Sequence, residues 1–213
     1  MHYMNEIEFL IAGIIFGLSA AFSPGPLMTI MLSETLTKGR AAGIKIAIAP
    51  LITDVPILLI ALFILTKISN VNEIIGILSL VGSVFLAYLG IDSIRMKKIT
   101  ISIQKTNSGS IKKGILTNFL NPHPYLFFFS VGGPLIIQGL KVSIFAPILF
   151  LIGFFGCLIG TNIALLIVAS KSRSFLTSKT YVYINKILGI VLILFALSFL
   201  QKGMILLGMK YDF

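Results

Sequence analysis

Long apolar runs follow one another along the chain, separated by short polar gaps. They lie at 9–33, 43–66, 73–94, 115–139, 143–169 and 182–206. A hydrocarbon core of ~30 Å takes a helix of ~20 mostly apolar residues, so the pattern predicts an all-α protein with six transmembrane helices. The fifth and sixth runs are almost continuous Leu, Ile, Phe and Val. The first and fourth are interrupted, by Ser23-Pro24-Gly25-Pro26 and by Asn121-Pro122-His123-Pro124. Each proline removes a backbone donor and clashes with the preceding turn, and Gly25 adds backbone freedom between two of them. Backbone groups freed inside hydrocarbon must find partners within the protein or in a water-filled cavity. Both breaks are therefore expected to face other helices or a pathway, not lipid.

The polar gaps carry the orientation. Thirteen of the 17 basic residues fall on one side: Lys38, Arg40 and Lys45; then Arg95, Lys97, Lys98, Lys105, Lys112 and Lys113; then Lys171, Arg173, Lys179 and Lys186. Only Lys67, Lys141, Lys202 and Lys210 fall on the other. The positive-inside rule places both termini outside the cytoplasm. The one long polar gap, rich in Thr, Ser, Asn and Gly, reads as a flexible linker. It divides the chain into a three-helix unit at 1–94, a basic linker at 95–113 and a second three-helix unit at 114–213. Pro24 and Pro26 recur 98 positions later as Pro122 and Pro124. Three spans is an odd number, so a duplicated unit would be inverted, a plan common among secondary transporters. Small residues mark two faces for close helix packing: Ser79, Ser83, Ala87 and Gly90 on the third run, and Gly153, Gly156, Gly160 and Ala164 on the fifth.

Composition narrows the function. The 213 residues are 57% hydrophobic and only 11% charged, which excludes a soluble domain. The net charge of +10 does not point to nucleic acid, because the basic residues lie between apolar runs and form no single face. Cys157 is the one cysteine, so no internal disulfide is possible. Met1 to Glu8 lacks the basic start of a signal peptide, and the first span is expected to be retained. There is no phosphate-binding loop, catalytic triad or cysteine–histidine cluster, so neither an enzyme nor an ATP-driven machine is expected, and no cofactor.

The chemistry must then sit at the breaks and at the polar residues within the runs. Ser23 before Pro24, and Asn121 before Pro122, resemble an N-cap followed by proline at the first helical position. At ~1.5 Å per residue both starts lie roughly 10–15 Å from the cytoplasmic ends of their spans. Their exposed N–H groups would favour an anionic group such as a carboxylate; two kinks that only shape packing are the alternative. Asp54, between Pro50 and Pro56, is the one acid deep in a run. An ionised side chain there costs ~2.5–3.5 kcal/mol, so it should face the interior. It would meet a substrate ammonium, carry a proton, or simply hydrogen-bond Thr53 and backbone freed by Pro56. His123 would relay a proton, bind a metal with Asp54, or bond broken backbone. Two ligands fall short of the three or four a metal site needs, so no resident metal is expected. Asn118, Asn121 and Asn162 are further polar groups, and Asn162 would cross-link helices. Glu34 and Asp92, near span ends, are expected to be solvated. Tyr88 and Tyr125 are expected to pack within spans, and Tyr3, Tyr181, Tyr183 and Tyr211 to sit at interfaces.

These residues resemble the LysE/RhtB family of amino-acid exporters. The likeness starts at Ser23-Pro24-Gly25-Pro26 and continues through Gly39, Gly43 and Asp54. It includes Val81 to Gly90 and resumes from Lys113-Gly114-Ile115-Leu116-Thr117-Asn118 to Pro122. The resemblance implies efflux of amino acids or similar small metabolites from a bacterial or archaeal cytoplasm, driven by protons. Two departures stand at the presumed site: His123-Pro124 where the family commonly has Lys, and Leu27 where it often has a polar residue. The expected site is thus Ser23, Pro24, Gly25, Pro26, Asp54, Asn118, Asn121, Pro122, His123 and Pro124. The expected partners are a small-molecule substrate, protons and membrane lipid, with a homodimer possible. The competing reading is an exporter of inorganic cations using Asp54 and His123.

Overall fold

The computed structural model describes residues 5–23, 25–67, 71–95, 109–171 and 178–208, with backbone alone at 71 and 72. Pro24, most of the linker (96–108), Arg173, Lys210, Tyr3 and Tyr211 lie outside the described residues. Every regular element among those described is helical. In order they are α1 (Glu6–Phe22), α2 (Pro26–Lys38), α3 (Arg40–Ala47), α4 (Ala49–Thr66), α5 (Val71–Arg95), α6 (Ser110–Phe119), α7 (Pro122–Phe127), a π-helical turn (Phe128–Gly132), α8 (Gly133–Leu140), α9 (Phe145–Lys171) and α10 (Lys179–Leu206).

Among the described residues, four stretches are long and apolar enough to cross a membrane: Arg40–Thr66, Glu73–Arg95, Phe145–Lys171 and Lys179–Leu206. The pair α1 and α2, bent by 62° at the first break, passes the same test when taken together as one broken span. The run expected at 115–139 is not one helix. It is cut at Leu120-Asn121, and α6, α7, the π turn and α8 are each too short to span alone. Val84, Phe63, Ile152 and Leu194 are more than half exposed, an apolar outer surface that suits lipid. This is a polytopic membrane protein.

Local chemistry sets several boundaries. Asn5 caps α1 by accepting from the Glu8 N–H at 3.0 Å, and Glu6 and Glu8 in the first turn suit its dipole. Ser178 caps α10 through the Tyr181 N–H. Gly39 ends α2 with φ +89°, a conformation glycine adopts without strain, and the chain reverses into α3. The Cβ of any other residue at Gly43 would collide with the Thr35 hydroxyl, so α2 and α3 close tightly. The second span begins at Arg40, earlier than its apolar run, and its helix is interrupted at Ile48. Pro50 cannot donate to the Ile46 carbonyl, which opens the ladder there. Pro56 passes inside α4 without breaking it.

Helix α1 lies along α9, and α5 along α10, more extensively than any other pairs; α4 meets α6, α7, the π turn and α8. Close approach depends on glycines. A Cβ on Gly13 or Gly17 would strike the Phe150 or Phe154 carbonyl, and one on Gly153 would come within 2.8 Å of the Leu10 carbonyl. Gly90 and Gly189 oppose one another in the same way. The small-residue face of the third run is used for packing, with Ser79, Ser83 and Gly90 buried, while that of the fifth is used only in part. Gly90 and Gly153 pack, while Gly156 and Gly160 meet nothing. The main core joins Phe9, Phe16, Phe128, Phe150 and Phe154 to α4, α5 and α10. A second core under α2 and α3 holds Met31, Leu32, Ile46, Leu166 and Tyr181.

Candidate functional site

The two breaks are built differently. At the first, Ser23 does not start a helix; it ends α1, its N–H donating to the Ser19 carbonyl at 3.0 Å. Its backbone is extended (φ −65°, ψ 121°), as a following proline favours. The new helix begins one proline later. Gly25, also extended, is the N-cap and Pro26 the first helical residue, with no side chain capping them. The next two amides, those of Leu27 and Met28, lie in the first turn and have no intrahelical acceptor. At the second break the expected start holds: Asn121 caps α7 and Pro122 opens it. Asn121 Oδ1 accepts from the His123 N–H at 3.1 Å, and neither Pro122 nor Pro124 has an N–H to offer. Among the described residues of the two breaks, the open backbone donors are those of the first.

Two of the carbonyls freed by the breaks accept from tyrosines. Phe22 would be acceptor to residue 26, but that residue is proline. The Tyr181 hydroxyl of α10 donates to the Phe22 carbonyl instead, at 2.7 Å. At the second break the Tyr125 hydroxyl donates to the Phe119 carbonyl at 2.9 Å. Tyr181 is fully buried, not interfacial as its sequence position near a span end had indicated. Tyr181→Phe takes the donor from the part-buried Phe22 carbonyl, at a cost of about 1–3 kcal/mol. In a chain of this size that is expected to lower the melting temperature in detergent by about 3–8 °C. The exposed Tyr183, changed likewise, is the control that should not move. A Tyr181→Phe protein melting with the wild type would remove the capping role.

Asp54 sits on α4 and is buried. Asn118, at the end of α6, donates one amide hydrogen to Asp54 Oδ1 and the other to Thr53 Oγ1, both at 2.6 Å. The Thr53 hydroxyl lies 3.2 Å from Asp54 Oδ1 and 3.2 Å from the Ala49 carbonyl, and its single proton serves one of them. The second break is thereby tied to the intramembrane acid. The His123 ring meets Phe85 edge to face, centroids 6.1 Å apart.

These groups share a cavity of about 130 Å³. Among the expected site residues, Ser23, Gly25, Asp54, Asn118, Asn121, His123 and Pro124 line it. Pro26 and Pro122 are not in its wall, and Pro24 lies outside the described residues. Asn162 lines the cavity too. Ser19, Ser93, Phe16 and Phe127 belong to the wall and were not foreseen. Ser19 is four residues before Ser23, one helical turn away on the same face, a spacing that could have found it. Its hydroxyl is buried without a hydrogen-bond partner. Among the described residues, no three His, Cys, Asp or Glu side chains gather as a metal site would need.

Beyond the breaks from this wall lies an ion pair. Lys113 Nζ of α6 is 2.6 Å from Glu34 Oε1 of α2. Ser110 donates to Glu34 Oε2 at 2.7 Å, and Lys38 Nζ is 3.1 Å from the same oxygen. Glu34 is only 1% exposed, which corrects the expectation of a solvated acid; Asp92 is exposed. The depths explain the pairing. Glu34 is nine residues past Gly25 and Lys113 eight before Asn121, roughly 12–13 Å along each helix.

No curated protein and no solved structure matches the chain. The family model described as LysE type translocator matches residues 18–203, which takes in both breaks, Asp54 and the whole cavity wall except Phe16. The chain belongs to the LysE type translocator family.

Proposed function

We propose that this translocator exports an amino acid or a closely related small metabolite in exchange for protons. The observation that supports this most is that a single cavity is bordered by both breaks and by the buried Asp54. A zwitterion suits that wall. Its carboxylate goes to the open Leu27 and Met28 amides at the start of α2, where the helix dipole favours an anion and where the unpartnered Ser19 hydroxyl is available. Its ammonium goes to Asp54, whose Oδ1 is already oriented by Asn118. Protons exchange at Asp54 or His123, the titratable groups among the described residues of the wall.

The packing supports two inverted halves that rock about the cavity. The first span lies on the fifth as the fourth lies on the second, and the third lies on the sixth; exchanging the halves reproduces the same set of contacts. In this arrangement the Glu34–Lys113 pair closes the side carrying the basic loops.

The test uses the purified full chain in liposomes loaded with labelled amino acids. An imposed pH gradient is expected to drive their release, and a proton ionophore to stop it. Release that ignores the gradient would remove proton exchange, and no release of any amino acid would remove the reading altogether.

A further inference from the structure

We infer that the side chain of the transported molecule is uncharged and apolar, so that the substrate is a neutral aliphatic or aromatic amino acid and not a basic, acidic or hydroxylated one. This rests on the transport reading above and narrows it.

Charge is the first constraint. Among the described residues, Asp54 is the only carboxylate lining the cavity, and no lysine or arginine lines it. The α-ammonium occupies that one acid. A second cation, on a lysine or arginine side chain, would enter without a counter-charge, and an acidic side chain would meet no basic group. A buried charge without a partner is strongly disfavoured.

The second constraint is where the polar groups lie. Ser19, Ser23, Asn118, Asn121 and His123 all fall within one helical turn of a break or at it, and the other polar wall residues, Ser93 and Asn162, lie toward the Arg95 and Lys171 ends of α5 and α9. Away from the breaks the wall turns aromatic. Phe127 is one turn past His123 on the fourth span, and Phe16 is two turns before Ser23 on the first. Both lie on the side opposite the Glu34–Lys113 pair. Phe16 meets Phe127 edge-on with centroids 5.5 Å apart. Phe127 stacks on Phe154 at 5.1 Å, and Phe128 meets Phe154 edge-on at 5.7 Å. Leu158 and Leu192 extend the same surface. The cavity is thus two-part: groups for a zwitterion at the breaks, and an interlocked aromatic wall beyond them. A side chain placed there meets the rings of Phe16, Phe127, Phe128 and Phe154 and the Leu158 and Leu192 side chains. Its volume, small beside the ~300–1,000 Å³ of pockets for drug-sized ligands, suits a single amino acid.

Hydroxyl discrimination should be finite. A hydrophobic pocket rejects a side chain that merely adds a hydroxyl by about a hundredfold at most, and rejects a charged one more strongly. Counterflow into proteoliposomes of the wild-type chain, with labelled leucine, phenylalanine, threonine, lysine and glutamate at equal concentration, reads this directly. Leucine and phenylalanine are expected to enter, threonine at about 10–100-fold lower kcat/KM, and lysine and glutamate at background. In Phe127→Leu the ratio of leucine to phenylalanine transport is expected to change while lysine stays excluded. Lysine, glutamate or threonine moving as fast as leucine would overturn the inference and leave export standing. Movement of no amino acid would overturn both. An unchanged leucine-to-phenylalanine ratio in a folded Phe127→Leu protein would show that the aromatic wall does not read the side chain.

Discussion

Asp54→Asn is expected to abolish transport driven by a pH gradient while leaving the fold intact. The amide oxygen of asparagine can still accept from Asn118 and Thr53, which now bond Asp54 Oδ1. What disappears is the negative charge and the capacity to exchange a proton. A hydrogen bond to a charged group contributes about 1.5–3 kcal/mol, so substrate affinity should fall roughly 10–100-fold. Proton coupling should vanish altogether unless His123 carries it alone. Two measurements separate these effects: counterflow across a range of substrate concentrations gives affinity, and release after a pH jump gives coupling. A variant that still empties its liposomes in response to the jump, at the wild-type rate, would remove Asp54 from the proton path. Asp54→Ala is a poorer probe, because it orphans the Asn118 amide as well.

Breaking the Glu34–Lys113 pair should have the largest effect on the closed side. Removing one partner of a buried pair costs about 3–5 kcal/mol, mostly because the other charge is left behind. Glu34→Gln strands Lys113, which is 13% exposed at its side chain, while the more exposed Lys38 can turn to solvent. The expected result is a less stable protein and a cavity open to the basic side. A cysteine at Ser93, which lines the cavity near the end of α5, in a Cys157→Ser background, reports the opening. Its labelling by an impermeant thiol reagent should rise at least about tenfold, the factor that 1.4 kcal/mol supplies. The double change Glu34→Gln with Lys113→Gln should cost less than the two single changes summed, since the charges are coupled. Additive losses, with unchanged labelling, would make the pair a bystander.

The spans were legible in the sequence because burial in hydrocarbon demands uninterrupted apolar length, and the interruptions were legible because proline cannot donate. Helix faces were not. A helix in lipid is apolar on every side, so hydropathy cannot tell Gly13 and Gly17, which take the backbone of α9, from Gly156 and Gly160, which meet nothing. Asp54, Asn118 and His123 stood out as polar residues in apolar runs, and the cavity gathers them. The first helix start was misassigned by two residues, since both Ser23-Pro24 and Gly25-Pro26 satisfy the same cap rule. Glu34 looked solvated because its partner is 79 positions away. The Tyr181 cap spans 159 positions, a distance no local pattern encodes.

The two tyrosine caps give the breaks different mechanical characters. The first break receives its hydroxyl from α10, a separate helix, so it cannot shift against α10 without stranding the Phe22 carbonyl. The second receives its hydroxyl from Tyr125, within the same segment, and moves with its cap in place. Movement between the halves thus takes the donor from the Phe22 carbonyl of the first break, whereas the Phe119 carbonyl of the second keeps its own.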